Sequence, residues 1–145
     1  MSRISTTAVG TISVTTLRDG ERTLPPEALK NLSDEDITKI NSDENQSFTF
    51  TNFNACVIQK GNQNLLVDAG CGTLFGPTCG FILDALDELG LAPDDITDIF
   101  ITHLHPDHIG GCINEDGSAV FRNANFKIVE EEYKFWTAKE FGSDE

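Results

Sequence analysis

The sequence predicts an α/β fold in which helices cover one face of a sheet. Three observations predict it. Strand-like segments recur at 9–17, 53–59, 64–68, 96–100 and 126–129. Between them, residues 79–89 place Ile82, Ala85, Leu86 and Leu89 at helical spacing, with Asp84, Asp87 and Glu88 opposite. Strands that alternate with such helices and with hairpins build a sheet whose apolar face is covered. Finally, the strand at 96–100 runs straight into a cluster of histidines, the place where an open α/β sheet presents ligands.

Each element has a local reason. Residues 9–17 alternate, with Ile12 and Val14 on one face and Thr11, Ser13 and Thr15 on the other. Arg18-Asp19-Gly20 reads as a turn. Pro25 to Leu29 starts a short helix, since proline loses nothing in a first turn. Ser33-Asp34-Glu35-Asp36 is a capping-box variant that opens another helix through Ile40. Residues 41–47 are polar and loop-like, so 18–47 reads as a surface excursion or lid. Lys60-Gly61-Asn62-Gln63 joins the next two strands as a hairpin. The glycine-rich run 70–77 reads as a flexible loop; it lacks the Gly-Lys-Ser/Thr ending of a phosphate-binding loop. Gly90 closes the amphipathic helix in the left-handed conformation. Residues 113–120 form a turn-rich hairpin with Glu115-Asp116-Gly117 at its tip. Residues 130–141 form a last helix with Tyr133, Trp136 and Phe141 facing the core.

Composition narrows the function. The 145 residues suffice for one domain and a modest core. A formal charge of −14, from 24 acids against 10 bases, disfavours nucleic acid as a partner, because phosphate binding needs clustered Lys and Arg. No apolar run is long enough to span a bilayer, so no membrane partner is expected. The first residues lack the apolar stretch of a signal peptide, and a cytoplasmic location is expected. Cys56, Cys71, Cys79 and Cys112 show no CxxC pair and are expected to be reduced and buried.

The informative stretch is Ile101-Thr102-His103-Leu104-His105-Pro106-Asp107-His108-Ile109-Gly110-Gly111, which holds all three histidines of the chain. Imidazole and carboxylate together suit zinc first, with manganese, iron and cobalt as alternatives. His103 and His105 leave an extended segment on the same side. Pro106 keeps His105 out of the α region, after which the chain turns and brings Asp107 and His108 toward a second ion. Asp68, at the end of the strand 64–68, either caps its loop or braces the histidine segment from behind.

The His-x-His-x-Asp-His motif resembles that of the metallo-β-lactamase superfamily. Leu66-Val67-Asp68-Ala69-Gly70, Phe75-Gly76-Pro77-Thr78, the histidine stretch and Phe135-Trp136 occur in the order found in its methyl parathion hydrolase and quorum-quenching lactonase branch. The resemblance implies an αβ/βα sandwich and a dinuclear hydrolase. His103 and His105 would hold one ion, and Asp107 and His108 the other. Asp107 would also act catalytically, passing a proton to the leaving group, and Asp68 would support the ligands from the second layer. A metal-activated hydroxide would attack an ester, lactone or organophosphate triester, with Phe75 and Trp136 lining the substrate pocket.

Members of the family continue about as long again, and their second half supplies further ligands and most of a second sheet. The chain is therefore expected to be the N-terminal half of such a domain, with one sheet face open, completed by the missing C-terminal half or a partner chain. A truncated metal-binding module without activity of its own is the alternative. Glyoxalase II or persulfide dioxygenase chemistry, which uses the same motif, is another.

Overall fold

The computed structural model describes residues 2–24, 30–42 and 50–138. Six strands form one sheet in sequence order: β1 (Ile4–Val9), β2 (Ile12–Thr23), β3 (Phe50–Lys60), β4 (Gln63–Val67), β5 (Asp98–Ile101) and β6 (Asn125–Ile128). The first four run antiparallel to their neighbours, whereas β4, β5 and β6 are mutually parallel. A parallel neighbour requires a crossover. The helix α2 (Ile82–Leu89) lies on the crossover from β4 to β5. Two short helices, α3 (Pro106–Ile109) and α4 (Glu130–Trp136), follow β5 and β6, and α1 (Asp34–Ser42) lies between β2 and β3.

Period-two alternation decides what is buried. Thr15 and Leu17 of β2, Ala55 and Val57 of β3, Leu66 of β4, and Ile99 and Ile101 of β5 point to one face and are buried. Ile82, Ala85 and Leu86 of α2 are buried in the same core cluster, with Ile96 and Phe121. Full burial of one such side chain contributes roughly 1.5–3 kcal/mol. The other face carries Ile12, Val14, Ile58, Leu65 and Phe100, all only partly buried. Ile12, Ile58, Leu65 and Phe100 line an open groove of about 420 Å³ there, edged by Lys60, Asp98 and Lys127. Among the described residues, no helix is long and apolar enough to cross a membrane.

Several expectations are corrected. Arg18-Asp19-Gly20 is not a turn: β2 continues to Thr23, and its register against β3 shifts between Arg18 and Gly20. A bulge of this kind re-aims a side chain. Here it turns the Asp19 carboxylate inward, where it is 0% exposed. Asp19 accepts the N–H groups of Cys71 (3.0 Å), Gly80 (3.2 Å) and Ile82 (3.1 Å). The bulge thus supplies the cap that Phe81, at the helix N-terminus, lacks in its side chain. The region 18–47 consequently contributes Arg18–Thr23 to the sheet, and its expected helix at Pro25–Leu29 lies outside the described residues. β1 was not foreseen. It is an edge strand of Ser and Thr on both faces, with Thr6 and Thr15 hydroxyls in contact at 2.8 Å across the pair.

The glycine-rich run 70–77 is a packed turn, at least over its first residues. A Cβ on Gly72 would fall 2.4 Å from the Gly110 carbonyl oxygen, and one on Gly111 would fall 2.0 Å from that of Ala69. The glycines allow this loop to touch the histidine segment backbone to backbone. Tyr133 is 56% exposed rather than in the core, α4 ends at Trp136, and Phe141 lies outside the described residues. The capping box at Ser33 is present: its hydroxyl accepts the Asp36 N–H at 3.2 Å, and the Asp36 carboxylate accepts the Ser33 N–H at 3.1 Å. Gly90 closes α2 at φ 80°.

Candidate metal centre

Parallel pairing puts the carboxyl ends of β4, β5 and β6 at one edge of the sheet. Val67 lies beside Phe100, so Asp68 and Thr102, the residues that leave the two strands, become neighbours. The Asp68 N–H donates to the Phe100 carbonyl at 3.0 Å. Asp68 has φ 59°, a left-handed conformation that aspartate tolerates better than most residues and that clusters at functional sites.

The chain then bends at Thr102 and leaves the sheet. His105 caps α3 at φ −69°, ψ 152°, held extended by Pro106 at the first helical position. One helical turn brings His108 back under Thr102. Two backbone bonds hold this loop to the end of β4: the Ala69 N–H donates to His108 at 2.7 Å, and the Gly111 N–H to Gly70 at 3.0 Å.

The four candidate ligands meet in two pairs. His103 Nε2 lies 3.1 Å from His105 Nδ1. His108 Nε2 lies 3.4 Å from Asp107 Oδ2. The rings of His103 and His108 are 3.8 Å apart, so the pairs adjoin. Two nitrogens on one tetrahedral zinc stand about 3.3 Å apart, given Zn–N bonds of about 2.0–2.1 Å. The donor types and both separations therefore suit a divalent ion at each pair. Among the described residues, no three His, Cys, Asp or Glu side chains converge as a complete binding group.

Asp68 lies behind the pairs, 8% exposed. It accepts the Thr102 N–H at 2.8 Å and the Thr102 hydroxyl at 2.9 Å. His108 Nδ1 stands 2.9 Å from Asp68 Oδ2, the oxygen that also takes the Thr102 hydroxyl. A carboxylate only accepts, so Nδ1 of His108 carries the proton and Nε2 keeps a free lone pair. The Thr102 hydroxyl donates to Asp68, so its oxygen accepts from His103 Nδ1 at 3.1 Å, which leaves Nε2 of His103 as the acceptor facing His105 Nδ1. One carboxylate and one hydroxyl thereby fix the tautomers of two histidines, as metal sites require.

Trp136 reaches the cluster, its ring edge-on to His105 at 5.7 Å. Phe75 instead stacks on Phe53 at 5.6 Å, with the Arg22 guanidinium 5.5 Å from its centroid. Cys112 is buried, and burial together with the nearby Asp68 pushes its thiol up to about 12. Burial, followed by Asp19, raises the Cys71 thiol as well.

Sequence reasoning missed Thr102 as an active participant, and it missed Glu132. The Glu132 carboxylate accepts the Leu104 N–H at 2.8 Å and the Trp136 indole N–H at 2.6 Å. These bonds, the Leu104 amide first, hold its carboxyl below the usual range. A hydroxyl beside a motif and one glutamate among three give no signal in a single sequence.

The profile of the metallo-beta-lactamase superfamily matches residues 49–138, well over half of the chain. The chain belongs to the metallo-beta-lactamase superfamily. Its fold is similar to that of the hydrolase AbOPH in this superfamily, at 28% identity and TM-score 0.85, covering 99% of this chain and 50% of that one. It is also similar to AidC, a dizinc quorum-quenching lactonase solved with a product, at 28% identity and TM-score 0.82, over 93% of this chain and 47% of that one. A probable metal-dependent hydrolase from Staphylococcus aureus matches at 25% identity and TM-score 0.74, over 91% of this chain and 52% of that one. The chain thus spans about half the length of these solved structures. No curated protein sequence matches it. The superfamily resemblance and the α/β class drawn from the sequence both hold.

Proposed function

We propose that this chain is the metal-binding half of a metal-dependent hydrolase acting on a small ester, lactone or phosphotriester. The observation that carries the proposal is the meeting of His103 with His105 and of Asp107 with His108, backed by Asp68 and Thr102. His103 and His105 would hold one divalent ion, and Asp107 and His108 a second. Zinc suits the set first, with manganese, iron and cobalt also compatible. Such ions, when bound, lower the pKa of water to about 7 and polarise the bond under attack.

The rest of the chemistry belongs to the chain. Asp68 and Thr102 would keep the Nε2 lone pairs of His108 and His103 turned away from themselves, toward Asp107 and His105. Asp107, in addition to its part in the ligand set, would carry a proton to the departing alkoxide. Trp136 offers an apolar edge beside His105 for the substrate. Phe75, engaged with Phe53 and Arg22, has less support as a substrate contact. A lactone substrate is supported by the likeness to AidC. The four free cysteines support a cytoplasmic setting.

A second reading has its own observation. The donors meet in pairs, where a catalytic zinc uses three protein ligands, and the chain spans half of its relatives. Under this reading the chain is a metal-binding module that needs its C-terminal half or a partner chain to act. The open face of Ile12, Ile58, Leu65 and Phe100 supports that need. Turnover of a lactone, an aryl ester, a phosphotriester and a thioester separates the readings, measured with and without a co-expressed C-terminal half. The hydrolase proposal expects turnover of one of the first three on completion. Thioester turnover alone would favour the glyoxalase-type chemistry.

A further inference from the structure

We propose that Glu132 is a positioning residue that sets the spacing of the His103–His105 pair. The inference rests on the metal-binding reading above and extends it to a residue outside the motif. His103 and His105 lie beyond the end of β5, so sheet pairing does not hold the segment between them. Leu104, the residue between them, would otherwise present its N–H without a strand to receive it. The parallel partner β6 solves this in an indirect way. It ends at Ile128 on the same edge of the sheet, and α4 starts two residues later. The first turns of α4 bring Glu132 over the segment, where Oε1 accepts the Leu104 N–H at 2.8 Å.

The same oxygen accepts the indole N–H of Trp136, one turn further along, at 2.6 Å. Trp136 then lies edge-on against His105 at 5.7 Å. One carboxylate oxygen therefore holds the backbone between the two imidazoles and also the ring that bounds one of them. Moving it shifts His103 and His105 relative to each other, and a metal pair tolerates little such movement.

The proposal distinguishes reach from charge. Glu132→Gln keeps an oxygen at the same place. Glu132→Asp keeps the charge but falls one methylene short, and Glu132→Ala removes the acceptor. We expect zinc affinity of the chain, measured by competition with a chromophoric chelator, to fall about tenfold in the Asp and Ala variants and to stay within about threefold of wild type in the Gln variant. Amide exchange at Leu104 should quicken in the same two variants. Thermal melts identify variants that keep the fold, and if the Ala variant unfolds, the Asp variant decides. Zinc affinity equal to wild type in the Asp variant would overturn the role of Glu132 while leaving the metal site intact. A wild-type chain with no more affinity for zinc than a His103→Ala variant would instead overturn the metal reading, and this proposal with it.

Discussion

Asp68 and His108 are 40 residues apart in the chain, yet their side chains meet at 2.9 Å. The contact exists because β4 and β5 are parallel, so both strands deliver their last residues to one edge. Asp68→Ala strands the N–H of Thr102 and the Nδ1–H of His108. Thr102 is exposed and His108 only partly buried, so water can replace part of what is lost, and a hydrogen bond to a charged group contributes about 1.5–3 kcal/mol. Urea denaturation should show a loss of about 2 kcal/mol or more, and zinc affinity should fall about 10–100-fold. Asp68→Asn should retain more stability than Asp68→Ala but still lose affinity, because its amide nitrogen cannot accept from His108.

Asp19 is the second buried carboxylate on which the architecture depends. It joins the β2 bulge, the turn after β4 and the start of α2 through three backbone N–H groups. Asp19→Ala should cost about 3 kcal/mol or more, read from the urea midpoint. An unchanged midpoint would mean that the bulge does not brace α2.

Burial, and after it the nearby Asp68, pushes the Cys112 thiol from its ordinary 9.0 up to about 12 in the folded chain. The unfolded chain therefore loses this proton first, and stability should fall as pH rises from about 9 toward 12. Cys112→Ala should flatten that alkaline limb. At pH 8, iodoacetamide should label the buried Cys71 and Cys112 far more slowly in the folded chain than in urea.

Glu88 contributes on the acid side, alongside other carboxylates held below their usual range such as Asp98 and Glu132. The Ser2 hydroxyl, and next the Arg3 N–H, bond the Glu88 carboxylate and lower its pKa from 4.5, tying the N-terminus to α2. A lowered folded pKa means that this contribution is complete above about 4.5 and is lost as pH falls through the folded value. Glu88→Gln should lower the melting temperature slightly at pH 7 and flatten its fall below pH 5, where the wild-type contribution is lost.

Much of this was legible in the sequence, for identifiable reasons. The core strands show because Val57, Leu66, Ile99 and Ile101 alternate with their neighbours, and α2 shows because its apolar residues recur at helical spacing. The candidate ligand cluster stands out because its residues are adjacent in the chain. What was hidden depends on partners distant in sequence. Asp19 looks like a turn residue until the bulge aims it at the backbone of Cys71, Gly80 and Ile82. The polar edge strand β1 has no apolar alternation to reveal it. Tyr133 looks like core by its chemistry, yet α4 lies at the sheet edge and leaves it exposed. Thr102 and Glu132 acquire roles only once parallel strands bring Asp68 and Leu104 beside them.

Zinc stoichiometry of the chain, co-expressed with the C-terminal half that the proposed function invokes, tests the account most directly. The measurement compares wild type with a variant carrying His103→Ala and His108→Ala, each purified from metal-free buffer and reconstituted. The account predicts two zinc ions per wild-type chain and a loss of both, to fewer than one, in the variant. Equal zinc in the two proteins, or none in either, would contradict it.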